Sequence, residues 1–593
     1  MKKQGKVLWR LLFAVGALIF FAVLELGKHT WLGWALGLLL LMGFYFLRAK
    51  KLKGAGRGKR FLCWLGLLGA MAAVLLVSWP PVRAVPAVRG GKETRLLQTP
   101  QGSLTGVYTL DEKVEVYAGI PYAQPPVGDL RWREPVPAGP WEGVLRADHF
   151  APMSMQPQNL PIVDSLTRII GYHEYQISLH DNYRAPVSED SLYLNVWKPA
   201  GDQTGLPVLV YVHGGSLQTG QPWYQDYNGE GLARQGVIVV NMGYRLGVFG
   251  FFADVELAAE SEHGSTGNYG LLDQICALQW VKNNISAFGG DPDNVTLAGE
   301  SAGSACVSAL CTSPLAKGLF RRVIGESSTV TCPAPAHSFR TMEQALQAGE
   351  RTKERLAAGE GIQKLRQLSA DKLVGEADAH HHITVDGYAL PQTPYEAYAL
   401  GEFNEESQLH GFNKEESAPF LLMGQAGLKD YEQLVRRLFP APYGGRVLEL
   451  YPAHTDEEAR QYWAEIYTVY YFSYGHFCWE RQALKNGIPT YVYHFTQDNG
   501  RLGAWHSGEE VYFYGNIPEK SRLYKDADRA LASVMTQYFS HFIAAGDPNG
   551  DSLPAWPSSA GENMVQELGP HIGQQPAPYT ALYAIMDEMY GFQ

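Results

Sequence analysis

Apolar positions along this chain follow two regimes, and each predicts a different kind of element. In the first 80 residues they form three long uncharged stretches, 11–24, 31–47 and 61–79, the first reaching back to Val7 if Arg10 snorkels. About 20 apolar residues span the hydrocarbon of a bilayer, so these read as three transmembrane helices. Further along, the apolar runs are short. Residues 206–212 and 293–298 have the length and β-branched character of strands buried on both faces, as in a parallel sheet. The second is followed at 304–310 by a small, apolar segment suited to a tightly packed helix.

Charge divides the chain at the same place. Residues 1–86 hold thirteen Lys and Arg against one acidic residue, Glu25, and since the whole chain carries −11, the remainder carries −23. The acidic bulk argues against nucleic acid as a partner. Seven basic residues between 48 and 60, with Lys2, Lys3 and Lys6, are expected on the cytoplasmic side. The amino terminus is then inside, the first two spans form a hairpin, and the third runs outward. Everything after Trp79 is expected outside the cytoplasm in a multi-pass protein of the cell membrane. A cleaved signal peptide is the competing reading, but three stretches are too many for one. Pro80 and Pro81 end the third span, giving a membrane region at 1–80, a connector at 81–98 and one large domain at 99–593.

The six cysteines, Cys63, Cys276, Cys306, Cys311, Cys332 and Cys478, show no paired short spacing of a metal or redox site. An extracytoplasmic domain without evident disulfides suits a bacterium that does not rely on them. Cys306 and Cys311 are expected to be buried as small apolar side chains.

Between the predicted strand and helix stands Gly299-Glu300-Ser301-Ala302-Gly303, the pattern of a nucleophile elbow. Such a turn pushes a serine hydroxyl out of the fold, and glycines on either side let strand and helix approach closely. The other apolar strand runs into His213-Gly214-Gly215-Ser216-Leu217, a loop able to gather backbone N–H groups into an oxyanion hole.

With these two motifs placed, the chain resembles the type-B carboxylesterases, the family of cholinesterases and bacterial para-nitrobenzyl esterases, over roughly residues 99–557. The resemblance is carried by Tyr117-Ala118-Gly119-Ile120-Pro121-Tyr122-Ala123-Gln124-Pro125-Pro126-Val127-Gly128, by Ser188-Glu189-Asp190-Ser191-Leu192-Tyr193-Leu194-Asn195-Val196, and by Gly267-Asn268-Tyr269-Gly270-Leu271-Leu272-Asp273-Gln274. It continues through Phe288-Gly289-Gly290-Asp291-Pro292, Ala545-Gly546-Asp547-Pro548-Asn549 and Trp556-Pro557. It implies an α/β-hydrolase fold with a mostly parallel central sheet, here preceded by an all-α membrane region, and a triad in the order serine, acid, histidine.

The family's Gly-x-x-x-x-Glu segment falls on Gly411-Phe412-Asn413-Lys414-Glu415-Glu416 and selects Glu416 over Glu415. Its Ala-x-His-x-x-Glu segment falls on Ala504-Trp505-His506-Ser507-Gly508-Glu509 and selects His506. Of the other histidines, His213 sits in the oxyanion loop, and His476, His494 and His541, in aromatic surroundings, are left to structural roles. The implied mechanism has Ser301 as nucleophile, His506 as base, Glu416 as its orienting acid, and the N–H groups of Gly215, Ser216 and Ala302 on the oxyanion. It requires no metal or organic cofactor. Glu300 is a family feature that tunes charge and is not assigned a catalytic role.

Three departures from the family matter. The family's third oxyanion-loop glycine is Ser216, whose backbone donor remains. Two cysteines that often pair in the family fall together on Ser154 and Ser191. The cholinesterase tryptophan that meets quaternary ammonium falls on Asp181, which disfavours choline esters. The sequons at Asn284 and Asn294 are read as coincidental, Asn294 because it lies in the strand before the elbow. The expected activity is hydrolysis of neutral, apolar carboxylic esters through an acyl-enzyme; the alternative is a non-catalytic adhesion or receptor protein on the same fold.

Overall fold

The computed structural model describes residues 2–50, 55–167, 169, 185–376, 379–422, 424, 426–498 and 502–592. Asp181 and part of the basic run between the second and third apolar stretches lie outside them.

The chain divides into two compact units, Met1–Val85 with Gln158–Pro186, and Pro86–Pro157 with Val187–Gln593. In the first, α1 (Lys2–Leu26), α2 (Trp31–Lys50) and α3 (Arg57–Val77) coincide with the three apolar stretches, and each is long and apolar enough to cross a membrane. They pack through Phe20, Leu24, Leu41, Phe44 and Leu67. Gly37 lets α2 close on α1, since a Cβ there would fall 2.7 Å from the Phe20 ring. Between the turn after α1 and the end of α3, Thr30 N–H donates to Ser78 O at 3.0 Å and the His29 ring nitrogen lies 3.0 Å from Ser78 Oγ. The same unit takes in the short helix α4 (Pro161–Thr167), which packs on α1.

The second unit is built on a sheet that has eleven strands among the described residues. In chain order they are β1 (Val107–Tyr108), β2 (Val114–Pro121), β3 (Tyr193–Pro199), β4 (Leu206–Val212), β5 (Ile238–Met242), β6 (Gly290–Glu300), β7 (Arg322–Glu326), β8 (Ser407–Asn413), β9 (Thr490–Phe495), β10 (Met564–Leu568) and β11 (Ile572–Pro576). Their order across the sheet is β11-β10-β9-β8-β7-β6-β4-β5-β3-β2-β1. The run from β5 through β10 is parallel, and the strands at both margins are antiparallel. This is the α/β-hydrolase arrangement expected from the motifs.

Strands β4 and β5 are buried almost throughout because helices cover both faces of the sheet, which is why they read as continuous apolar runs rather than alternating ones. Helix α5 (Tyr269–Asn284) and helix α6 (Ala302–Leu310), both largely buried, pack near β6. The strand before the elbow is longer than residues 293–298: it begins at Gly290 and shifts register before Val295, so the Asp-Pro-Asp turn chemistry hid its start.

Asn284 is buried and donates to Trp280 O, and Asn294 holds Ala544 O and receives Arg322. Cys306 and Cys311 are buried free thiols, as expected for small apolar side chains. Ser154 Oγ and Ser191 Oγ are buried 2.9 Å apart, and Ser154 Oγ also donates to Tyr244 O at 2.6 Å. A hydrogen bond therefore ties the two positions that a disulfide often ties in the family.

Candidate active site

Ligand sites on parallel sheets collect at the carboxyl ends of the strands, because loops leave there and helix amino termini point back. Here Val212 of β4 pairs with Gly299 of β6, Glu300 with Glu326 of β7, and Glu326 with Gly411 of β8. The loops carrying residues 213–217, Ser301, Ser327 and Glu416 thus leave one edge in register.

Ser301 joins β6 to α6 in one residue, at φ 53° and ψ −125°. A non-glycine residue held there costs on the order of 1–3 kcal/mol. The surroundings impose it: a Cβ on Gly299 would lie 2.6 Å from the Gly303 carbonyl carbon, and one on Gly303 would lie 2.0 Å from Val212 O. Strand, helix and neighbouring strand touch through bare backbone. Ser301 N–H donates to Glu326 O at 2.8 Å and pins the turn to β7.

His506 reaches the serine from the segment after β9. A parallel bridge between Glu415 and Trp505 joins this segment to the one after β8, with Glu415 N–H donating to Ala504 O at 2.9 Å and Ala504 N–H to Glu415 Oε2 at 2.8 Å. Glu415 is thereby spent on backbone, and Glu416, the next residue, turns inward and is fully buried. His506 Nδ1 donates to Glu416 Oε2 at 2.6 Å, and Ser301 Oγ lies 2.9 Å from Nε2. Asn413 N–H donates to Glu416 Oε1 at 2.7 Å. Burial pushes the Glu416 carboxyl up, against the pull of the Asn413 N–H and the Ser327 hydroxyl. The three residues selected from the sequence therefore meet in one hydrogen-bonded line.

Residues 213–217 close the other side. A Cβ on Gly214 would stand 3.0 Å from Ser301 Cβ, and Gly215, Ser216 and Leu217 all take positive φ, at 100°, 55° and 56°. Ser216 holds a left-handed backbone that glycine adopts at no steric cost, with its side chain exposed. The N–H groups of Gly215, Ser216 and Ala302 meet no acceptor among the described residues. Ala302 is the first residue of α6, where an N–H lacks an intrahelical partner.

Several further side chains surround His506. Phe420 and Phe472 lie tilted against the His506 ring, at 5.2 and 4.8 Å between centroids. Phe472 lies on a π-helical turn (Val469–Ser473) between α7 (Asp456–Thr468) and α8 (Tyr474–Lys485), a local irregularity without a residue-type signature. Glu509 is fully buried, accepts from Ser327 Oγ at 2.8 Å and from Asn413 Nδ2, and is pushed up to about 7 by burial. It is the last residue of the motif that selected His506, so its spacing was on display and its role was not. Glu300 is buried, and its Oε1 lies 3.2 Å from His506 Nε2.

The other histidines are elsewhere. His213 donates from Nδ1 to Gly214 O at 2.8 Å, and burial pushes its ring down to about 4. His476 packs against His410, His494 against Phe412, and His541 holds Asn549 O.

Residues 93–577 match the model of the carboxylesterase family. Among curated proteins, the chain is similar to fumonisin B1 esterase of Sphingopyxis macrogoltabida, 30% identical over 87% of this chain and 92% of that one. It is also similar to liver carboxylesterase of Sus scrofa, at 31% over 85% and 93%. Among solved structures, the Geobacillus stearothermophilus carboxylesterase EST55 superposes with a TM-score of 0.71 at 31% identity, covering 83% of this chain and all of that one. A PNB esterase gives 0.70 at 27%, covering 83% and 99%.

Proposed function

The chain belongs to the carboxylesterase family, and from that premise we propose that Ser301, His506 and Glu416 hydrolyse neutral, apolar carboxylic esters through an acyl-enzyme, at a membrane to which α1, α2 and α3 anchor the protein. The observation that carries this reading is the line from Ser301 Oγ to His506 Nε2 at 2.9 Å and from Nδ1 to Glu416 at 2.6 Å. An adhesion protein on this fold has no need of that geometry.

The chemistry follows from the atoms. His506 Nδ1–H is fixed by Glu416, so Nε2 presents its lone pair to the Ser301 hydroxyl. As Oγ bonds to the ester carbon, its proton passes to Nε2, and Glu416 stabilises the imidazolium without taking that proton. The carbonyl oxygen becomes an oxyanion, which the unpaired N–H groups of Gly215, Ser216 and Ala302 receive. One such donor is worth about 2.7–4 kcal/mol in other hydrolases. His506 returns the proton to the leaving alcohol, and water repeats the cycle to release the acid. The Phe420 and Phe472 rings beside His506 favour an apolar substrate over a charged one.

The test uses the full chain in membranes, with chromogenic esters of rising acyl length and Ser301→Ala beside wild type. Wild type is expected to hydrolyse the neutral esters, the variant to lose at least about a thousandfold, and activity to leave the membrane only with detergent. Equal rates in both proteins overturn the assignment of Ser301. Release by alkaline wash overturns the anchor.

A further inference from the structure

His506 is flanked by a carboxylate at each ring nitrogen, and only one of them is the expected acid. Glu416 holds Nδ1, while Glu300 Oε1 stands 3.2 Å from Nε2, the nitrogen facing Ser301 Oγ. Glu300 does not reach that place by its backbone alone. Ser507 Oγ donates to the same Oε1 at 2.5 Å. On its other side the carboxyl abuts the oxyanion loop, where a Cβ on Gly214 would fall 2.5 Å from Glu300 Oε2. The side chain is clamped between bare backbone and one hydroxyl.

Ser507 is itself in an uncomfortable conformation, φ 68°, which glycine adopts at no steric cost. A serine kept in the left-handed region beside the base is explained if its hydroxyl is in use. Resting on the reading of Ser301 and His506 given above, we propose that Ser507 is a positioning residue: its hydroxyl holds the Glu300 carboxylate at the Nε2 edge of His506, so that the proton taken from Ser301 arrives on an imidazole with a carboxylate at both nitrogens. No bond is made or broken by Ser507 or Glu300. In the attack step the Ser301 O–H bond breaks, the proton goes to Nε2, and Glu300 meets the new N–H with an ionised oxygen.

Glu300 must be ionised for this, and its surroundings oppose it. Burial is the largest influence and raises it to about 7, His506 and the Ser507 hydroxyl pull it down, and Glu509 and Glu416 push it up. Also near are Glu510 after β9, Glu326 at the end of β7, and the phenols of Tyr211, Tyr227, Tyr244 and Tyr514. A donated hydrogen bond stabilises the charged carboxyl, so removing the Ser507 hydroxyl moves Glu300 further up and moves the acid limb of the activity profile the same way.

The experiment measures kcat/KM against pH for a short chromogenic ester with the full chain, comparing wild type, Ser507→Gly, Ser507→Ala, Glu300→Gln and the double variant Ser507→Gly/Glu300→Gln. Ser507→Gly keeps the left-handed backbone and removes only the hydroxyl. The expected result is an acid limb displaced upward by about one pH unit in both Ser507 variants, with kcat/KM at pH 6 lowered about tenfold. Since Ser507 acts through Glu300, adding Ser507→Gly to Glu300→Gln is expected to move the limb no further. A wild-type limb in Ser507→Gly, or a shift that persists in the Glu300→Gln background, overturns the proposal. The underlying reading fails separately: Ser301→Ala would then keep its activity, whereas an inactive Ser301→Ala beside an unshifted Ser507→Gly removes only the role given to Ser507.

Discussion

On one flank of Ser301 the polar groups around His506 are mutually engaged, while on the other flank backbone donors stand unanswered. The His506 flank gathers Glu300, Glu416 and Glu509, each holding at least one side-chain or backbone donor, in a region where all three are pushed upward by burial. The flank of residues 213–217 offers N–H groups and positive-φ backbone with no acceptor of its own. The difference is one of timing. In the proposed reaction, charge on the His506 flank exists before substrate arrives and must be managed by packing, whereas charge on the other flank appears only when the carbonyl becomes an oxyanion, so its donors are kept free.

The largest expected effect comes from Glu416, the acid proposed to set the tautomer of His506. Glu416→Gln keeps the shape but allows its amide to donate toward Nδ1, turning the wrong nitrogen to Ser301. The expected loss is about 10⁴-fold in kcat with little change in KM, measured on any ester that wild type cleaves. A loss below tenfold would show that Glu416 is not what orients His506.

The next effect is on stability. The native state keeps a proton on Glu509 at pH values where the unfolded chain, with an ordinary carboxyl near 4.5, has released it. Folding is therefore favoured by this group at low pH, and that contribution is lost as pH rises from about 4.5 through about 7. Denaturant unfolding is expected to show stability falling between pH 5 and pH 8. Glu509→Gln, which cannot ionise, is expected to make that fall shallower by up to about 3 kcal/mol. Equal slopes in the two proteins would place Glu509 ionised in the native state.

The two flanks also differ in how legible they were. Ser301 and residues 213–217 announce themselves because strand-to-loop turns demand glycine: Gly299 and Gly303 stand where any Cβ would strike backbone. Glu416 and His506 needed the family pattern, since a carboxyl on a loop and a histidine in an aromatic run have no local signature. The engagements of Glu300, Ser327 and Glu509 were out of reach because they join residues far apart in the chain, and a buried glutamate reads like an exposed one. The same limit hid Phe472 on its π turn and the start of β6 at Gly290. In the amino-terminal region the long apolar stretches made α1, α2 and α3 readable. The packing of α4 on α1 was not, since nothing in the composition of Pro161–Thr167 resembles a span.

The smallest effect tests the flank of unanswered donors at its one departure from the family. Ser216 and Ser507 are both serines at positive φ, one on each side of Ser301, at 55° and 68°. Left-handed backbone costs a non-glycine residue about 1–2 kcal/mol, against which glycine loses about 0.5–1 kcal/mol in chain entropy. Ser216→Gly is therefore expected to raise stability by at most about 1 kcal/mol and to leave kcat within about threefold, because the donor proposed for the oxyanion is backbone and the Ser216 side chain is exposed. Glycine at 507 relieves the same strain yet is expected to displace the pH profile, because there the hydroxyl has a carboxylate to hold. A loss of more than tenfold in kcat for Ser216→Gly would mean that this hydroxyl also faces the oxyanion, and the two flanks would then differ less than their backbones suggest.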